Sequence, residues 1–343
     1  MEITIHHNTD VGVARRAVKD LAKDIGFIKK GIVELELVVT ELAKNLVIHD
    51  TTDGQIIVNE IADRFGKGIE IVAKDRGPGI PDVKRAIKDQ YSTANSMGCG
   101  LGSVQRHVDE FDIYSHSPPK HSQSYPNRHR PVGTIVMARK WIEKKTDLAP
   151  FQYGGYSRPI VSETANGDAF HISEAGDNLY IAVVDGLGHG PNAEVASLKA
   201  IRFIKKNYQM AMEHLFNELH EILKKTRGVA LTLIHLRLKD RKILQAGVGN
   251  VQTRIYPRGE RNLISRGGVL GGITLPPLKI NKNSWPKNGI MVAFTDGISG
   301  RWDLEEMPDM LKHHPTTIAH LILQEHGRES DDATMVVVKE VTT

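Results

Sequence analysis

Between Lys74 and Arg106 the chain reads K-D-R-G-P-G-I-P-D-V-K-R-A-I-K-D-Q-Y-S-T-A-N-S-M-G-C-G-L-G-S-V-Q-R. An apolar run (Ile69, Ile71, Ala73) ends in Asp75, and Gly77 and Gly79 follow. A second glycine cluster, Gly98, Gly100 and Gly102, opens a helix near Leu101. Glycine has no Cβ, so backbone N–H groups can close on phosphate oxygens, and a helix start turns its unpaired amides and positive dipole end toward the same anion. A single glycine-rich turn has conformational reasons of its own. Two clusters on either side of a short helix describe a nucleotide cradle. It is neither of the two common ones: the chain has no G-x-x-x-x-G-K-[ST], and no G-x-G-x-x-G stands at a strand-to-helix turn with an acidic residue about 20 positions on.

The 343 residues, with 40% hydrophobic and 25% charged, allow two ordinary globular domains. No apolar run approaches the roughly 18 to 20 residues of a membrane span, and the N-terminus lacks the basic, apolar, small-residue order of a signal peptide. The expectation is a protein without membrane contact. Cys99 is the sole cysteine, which excludes an internal disulfide and fits a cytoplasmic location. A net charge of +4 is too mild to argue for nucleic acid as a partner. The stretch from Ser115 to Pro131, rich in Pro, Ser and His, reads as a flexible hairpin insertion.

Ahead of the cradle, Ile3 and Ile5 alternate with polar neighbours as a short strand. Thr9-Asp10 is placed to cap a helix with Val13, Ala17, Leu21 and Ile25 on its apolar face. A second helix, about Lys30 to His49, buries Leu35, Val38, Val39, Leu42 and Leu46. Glu41 and Asn45, one turn apart, project together from a neighbouring face. Strands follow at 55–61 and 68–74, a helix at 101–110, and strands near 112–114 and 133–138. Helices on one face of a mixed, mostly antiparallel sheet make an α/β two-layer sandwich.

The order D-x-G-x-G then G-x-G-x-G resembles the adenine and lid boxes of histidine kinases, gyrases, Hsp90-type chaperones and anti-sigma-factor serine kinases, the Bergerat ATP-binding fold. Within that superfamily, D-R-G-P-G-I-P-D, Y-S-T, G-C-G-L-G and D-E-F look most like the serine kinases that switch bacterial stress responses, over about residues 1–141. The resemblance implies ATP and Mg²⁺ as cofactors. It places Asp75 on the adenine amino group, with Gly77 and Gly79 beside it, and Thr134 in the network beneath the base. Asn45 would hold Mg²⁺, and Gly98, Gly100, Leu101 and Gly102 would wrap the phosphates. Glu41 would orient or deprotonate a seryl hydroxyl. Sensor histidine kinases share the boxes but put a phospho-accepting His on a helix ahead of the domain, and only about 30 residues precede the Glu41 helix here. Cys99 between the lid glycines and the enlarged segment after Ser115 depart from the family pattern.

Residues 142–150 are charged and end in proline, which marks a linker to a domain over 151–343. That half repeatedly puts acidic residues at the ends of apolar runs. Asn166-Gly167-Asp168 precedes a strand. Leu179–Val184 delivers Asp185-Gly186 into G-L-G-H-G, and Ile290–Phe294 does the same for Asp296-Gly297. Asp331-Asp332 opens the last strand. One such aspartate is a turn residue. Four of them have a joint use, because carboxylate oxygens suit hard divalent cations and two metals about 4 Å apart can activate water and clamp a phosphoryl group. Asn192–Tyr208 and Glu213–Lys225 read as helices, the first with Val195, Leu198, Ile201 and Ile204 on one face, and Val229–Leu238 with Ile243–Val248 as a hairpin.

N-G-D, V-V-D-G-L-G-H-G, F-T-D-G and D-D-A-T closely resemble the bacterial branch of the protein phosphatase 2C superfamily, which includes the sporulation stage II E and stressosome feedback phosphatases. The implied fold is an α-β-β-α sandwich, so the whole chain is α+β. The resemblance implies two Mn²⁺ or Mg²⁺ ions bridged by Asp185, with the Gly186 carbonyl, Asp296, Asp331 and a supporting Asp168 as further ligands. Asp332 is a weaker candidate, and His189 reads as loop packing ahead of a general acid. No phosphate-binding arginine is identifiable, and Arg158 is not assigned that role. Together the halves imply a protein serine/threonine kinase and an opposing phosphatase. Both would act on a STAS-type anti-anti-sigma partner in a partner-switching stress pathway. The alternative is a nucleotide-dependent binding switch that sequesters a sigma factor or regulator, the phosphatase serving a separate phosphoprotein.

Overall fold

The structure, a computed structural model, describes residues 1–49, 51, 53–63, 66–88, 100–117, 133–143, 150–257, 263, 265–275 and 277–341. Gly98, Cys99, most of the Ser115–Pro131 segment and most of the 142–150 linker lie outside the described residues. The chain divides into two compact units, Met1–Leu148 and Ala149–Thr343.

The first unit runs β1 (Glu2–Thr4), α1 (Asn8–Ile25), α2 (Lys29–Ile48), β2 (Gln55–Asp63), β3 (Gly66–Lys74), α3 (Val83–Ala86), α4 (Gly100–Arg106), β4 (Glu110–Ser115) and β5 (Thr134–Trp141). Its sheet has the order β1-β2-β3-β5-β4. Every described pair is antiparallel, where the sequence suggested a mixed sheet. Strands that follow one another as β2–β3 and β4–β5 do can pair only this way without a long crossover. Ile69, Ile71 and Ala73 of β3 pack with Leu35, Val38, Val39, Leu42 and Leu46 of α2, the face read from the sequence.

The apolar face of α1 is turned from the expected one. Val11, Ala14, Val18 and Ala22 are buried, Leu21 and Ile25 pack at the margin, and Val13 is 43% exposed. Asp10 does not precede the helix as a cap. It sits in the first turn and accepts the His6 and His7 amides at 2.9 and 2.8 Å, the second half of a capping box whose N-cap is His7.

The second unit runs β6 (Phe151–Arg158), β7 (Asp168–Ala175), β8 (Asn178–Gly186), α5 (Pro191–Asn207), α6 (Met212–Leu223), β9 (Val229–Arg237), β10 (Lys242–Val248), β11 (Gln252–Tyr256), β12 (Ile280–Ser284), β13 (Ile290–Phe294), α7 (Pro315–His326) and β14 (Ala333–Glu340). Two antiparallel sheets, β12-β10-β9-β8-β7 and β11-β13-β14-β6, share a core. Leu179, Ile181 and Val183 of β8 meet Met291, Ala293, Val336 and Val338 there. The other face of β8, Ala182 and Val184, lies under α5 and α6, while α7 lies on β6 and β14. Burial of both faces explains why β8 reads as a near-continuous apolar run. Among the described residues no helix is long and apolar enough to cross a membrane.

Helix α5 also differs from its sequence reading. Val195 and Leu198 are 59% and 38% exposed, and the buried face is Ala193, Ala196, Ser197, Ala200 and Ile204. Small side chains let the helix axis approach the sheet and the Gly186 backbone closely. A Cβ on Gly186 would collide with the Ala193 carbonyl. The large residues are thereby left outside. Ala196→Leu is therefore expected to destabilise the second unit by about 1–3 kcal/mol through overpacking, and Val195→Ser to stay within about 0.5 kcal/mol of wild type. Urea unfolding of both variants measures the contrast.

Candidate functional site

In the first unit, β3 ends at Lys74 and hands Asp75 to a loop. The Asp75 side chain is 7% exposed, and its Oδ1 accepts from the Gly77 amide at 2.7 Å and the Thr134 amide at 3.2 Å. Burial pushes its pKa up, against the pull of those two amides and of His49. Gly133 is required beside it, because a Cβ there would run into Asp75 Oδ1 and the Gly77 amide. Thr134 Oγ1 bonds Ser115 Oγ at 2.8 Å, and Ser115 Oγ accepts the Ile80 amide at 2.7 Å, so the loop is tied to the edge hairpin. Gly79 holds φ +72°, a left-handed backbone that suits glycine.

Glu41 and Asn45 stand partly exposed on α2. Gly100, at the start of α4, comes against Asn45: a Cβ on it would lie 3.9 Å from both polar atoms of the Asn45 amide. Leu101 and Gly102 are buried in the first turn of α4. The structure thus brings Asn45 to the glycine-led helix start, and Asp75 to Gly77 and Thr134. Gly98 lies outside the described residues. Gly133 and Ser115 were missed as functional supports. The signal for Gly133 was its place directly before Thr134 in a strand that returns beside Asp75.

In the second unit, Asp168 opens β7 directly across from Asp185 near the end of β8. Asp168 is 5% exposed. Thr295 Oγ1 donates to its Oδ2 at 2.6 Å, and the Thr334 amide donates to Thr295 Oγ1 at 3.0 Å, so a strand of the opposite sheet holds the carboxyl in place. Burial, then the Asp185 charge, pushes Asp168 well above the carboxylate range. Burial, then Asp296, with smaller contributions from Asp331 and Asp332, pushes Asp185 up to about 7. Asp331 is raised by burial and by Asp296. Asn250, unremarked in the sequence, donates to Asp296 Oδ2 at 2.6 Å and also stabilises ionised Asp185.

Asp332 has a definite structural task. It is 3% exposed and accepts the Ile160 amide at 2.8 Å and the Gly167 amide at 2.9 Å, pinning the N-G-D turn that precedes Asp168. Gly186 donates its amide to the Gly167 carbonyl at 3.0 Å, which closes the same turn from the other side. His189 pairs with Glu163 at the surface. Arg158 binds the carbonyls of Pro159, Arg328 and Asp331, a structural role rather than a phosphate site.

Asp168, Asp185, Asp296 and Asp331 therefore share one end of the sandwich and perturb one another electrostatically. Among the described residues no three His, Cys, Asp or Glu side chains are drawn in tightly enough to enclose an ion. The donor set nevertheless fits a hard divalent cation: it is made of oxygens, and burial with mutual repulsion raises Asp168, Asp185 and Asp331.

Each half of the chain is similar to known proteins. Residues 6–122 match the histidine kinase-like ATPase domain, and residues 175–340 match the stage II sporulation protein E (SpoIIE) family. The serine/threonine-protein kinase RsbT of Bacillus subtilis is 34% identical over 133 residues, 39% of this chain and 90% of RsbT. The phosphoserine phosphatase RsbX of the same organism is 27% identical over 150 residues, 43% of this chain and 71% of RsbX. A solved structure from work on the bacterial stressosome is similar with a TM-score of 0.53 and 27% identity, covering 55% of this chain and 100% of that one. The chain belongs to the histidine kinase-like ATPase family, in its RsbT-related branch, and its residues 175–340, behind that domain, are similar to the SpoIIE family.

The raised carboxyl of Asp185 has a signed consequence for stability. Unfolded, the group loses its proton near its ordinary value of 3.8; folded, it holds it to about 7. Between those values the unfolded chain binds fewer protons, so stability falls as pH rises through this window. Without divalent cations, the second unit is expected to melt at a lower temperature at pH 7.5 than at pH 5. Asp185→Asn should shrink the difference, and Mg²⁺ or Mn²⁺ at pH 7.5 should reverse it. Circular dichroism melts across pH check all three.

Proposed function

We propose that the chain is a bifunctional serine/threonine kinase and metal-dependent phosphoprotein phosphatase that sets the phosphorylation state of a STAS-type anti-anti-sigma partner. The observation that carries this reading is the presence, in one polypeptide, of the Asp75 cradle and the Asp168–Asp185 carboxylate cluster, each built for phosphate chemistry. Asp75 Oδ1 is occupied by two backbone amides, so Oδ2 is the acceptor for the amino group of adenine. Asn45 would hold Mg²⁺ beside Gly100, Leu101 and Gly102, where the ion would neutralise phosphate charge. Glu41, one turn from Asn45, orients the acceptor hydroxyl for in-line transfer.

In the phosphatase unit, Asp185, Asp296, Asp331 and the Gly186 carbonyl would hold two Mn²⁺ or Mg²⁺ ions, with Asp168 in support. Bound metal would supply an activated water and charge neutralisation at the phosphoryl group. The chain's own part is to hold these carboxyls in place through Thr295, Asn250 and the Gly167 turn. The relatives' names supply the pathway class: RsbT and RsbX are named as a kinase and a phosphoserine phosphatase, and an anti-sigma F factor of Clostridium novyi is 31% identical over 108 residues. Residues 1–141 and 151–343 are the two catalytic domains in this reading.

The test is to incubate the purified chain and Mg-ATP with STAS-domain proteins from the same genome. Glu41→Gln is expected to slow phosphorylation by about 10²–10⁴-fold, and equal rates would remove Glu41 from the mechanism. With Asp185→Asn the phosphoprotein should accumulate, where wild type with Mn²⁺ returns it to the unphosphorylated form. A nucleotide-dependent complex without phosphoryl transfer would replace the kinase by a binding switch.

A further inference from the structure

Away from its carboxylate end, the second unit contains a cavity of about 460 Å³, within the range of small-molecule sites. Strand register builds its floor. Tyr180 pairs with His235 across β8 and β9, His235 with Leu244 across β9 and β10, and Leu244 with Lys282 across β10 and β12. Direct antiparallel partners share a face, so these four side chains form one row. The joint between α5 and α6, residues 208–211, and the first turn of α6 complete the lining.

The row has an aromatic half and an open half. Neighbouring strands lie about 4.8 Å apart, close to the spacing at which rings stack. The Tyr180 and His235 rings do stack, with centroids 4.3 Å apart and an interplanar angle of 18°. Tyr208 meets Tyr180 edge-on at 5.1 Å. The next place in the stack falls over Leu244, a shorter, partly buried side chain, and the place after that belongs to the exposed Lys282.

Charge around the cavity leans positive. Lys282 lines it, Lys205 acts on His171, and Arg237 acts on Tyr180 and His235, against Glu213 in the lining and Asp240, which is paired with Arg237. Burial, with Lys205, pushes His171 down to about 4, and burial with Arg237 lowers His235. Both imidazoles are thus neutral at pH 7 and serve as flat, weakly polar walls.

We propose that this cavity is a binding site for a planar aromatic small molecule bearing one anionic group, its ring continuing the Tyr180–His235 stack above Leu244 and its charge meeting Lys282. None of these residues belongs to the carboxylate cluster, so the proposal stands or falls separately from the phosphatase mechanism.

The probe is 8-anilinonaphthalene-1-sulfonate, titrated by fluorescence against the full-length chain, with uncharged N-phenyl-1-naphthylamine as its partner. One saturable sulfonate site is expected. His235→Ala should weaken it about fivefold by removing the ring on which the ligand stacks, and Leu244→Trp should abolish it by filling the space. Lys282→Ala, at an exposed position that the fold tolerates, should weaken the sulfonate about threefold and leave the uncharged probe unchanged. Ile273→Ser, which removes a fully exposed apolar side chain elsewhere in the unit, should change neither. Non-saturating binding overturns the proposal, as does sulfonate binding unchanged in both His235→Ala and Lys282→Ala. Melting temperatures of the variants confirm that each binding result comes from folded protein.

Discussion

Asp168 and Asp185 face each other across two hydrogen-bonded strands, and the second unit is arranged around keeping that unfavourable pair together. Two carboxylates in a poorly solvated site repel and lose hydration, so each is driven toward its protonated form. The fold resists their separation with contacts from the opposite sheet. The Thr295 hydroxyl reaches Asp168 from the end of β13, and the Thr334 amide at the start of β14 fixes that hydroxyl. Asp332 meanwhile uses its own carboxylate on two backbone amides. Asp332 is thereby committed to the loop backbone, and burial with mutual repulsion raises Asp168, Asp185 and Asp331, a cost that a cation would relieve.

The first unit treats a buried carboxylate in the opposite manner. Asp75 stands without an acidic neighbour among its perturbing groups, and two backbone amides converge on one oxygen. Such an arrangement fixes the orientation of the carboxyl and leaves it suited to accept one further hydrogen bond, which is recognition chemistry rather than metal chemistry. Gly133 permits it by letting the β5 backbone pass where a side chain would collide. The two units thus use aspartate for different purposes, and the difference lies in the neighbours rather than in the residue.

Much of this was legible from the sequence, for a definite reason. Asp75, Asp185 and Asp296 each end or follow an apolar run, and a run that ends in an acidic residue near glycine marks both the strand and a candidate site residue at its tip. Helix α2 was equally readable, because Leu35, Val38, Val39, Leu42 and Leu46 recur at helical spacing and all of them are buried. The faces of α1 and α5 were misread because periodicity was judged by side-chain size. In both helices the buried row is rich in alanine, which admits close backbone approach, and a valine lies in solvent. Thr295 and Asn250 were not legible for another reason. Each acts on an aspartate distant in sequence or on another sheet, and single hydroxyl and amide side chains carry no pattern that spacing can reveal.

The same sheet supports two chemical environments because a strand has two ends and two faces. Tyr180 and Asp185 are five residues apart on β8, about 17 Å along an extended chain. That exceeds the screening length of about 8 Å at physiological ionic strength, so a charge held near Lys282 exerts little direct field on the carboxylate cluster. Side-chain alternation separates them further, since Tyr180 shares its face with Ala182 and Val184 under the helices, whereas Asp185 continues the odd-numbered row of Ile181 and Val183 that faces the opposite sheet. Anything that made one environment respond to the other would have to be transmitted by packing. The candidate path is short: α5 begins against Gly186 and ends at the joint that lines the cavity, and its buried face of alanines leaves little slack between helix and sheet.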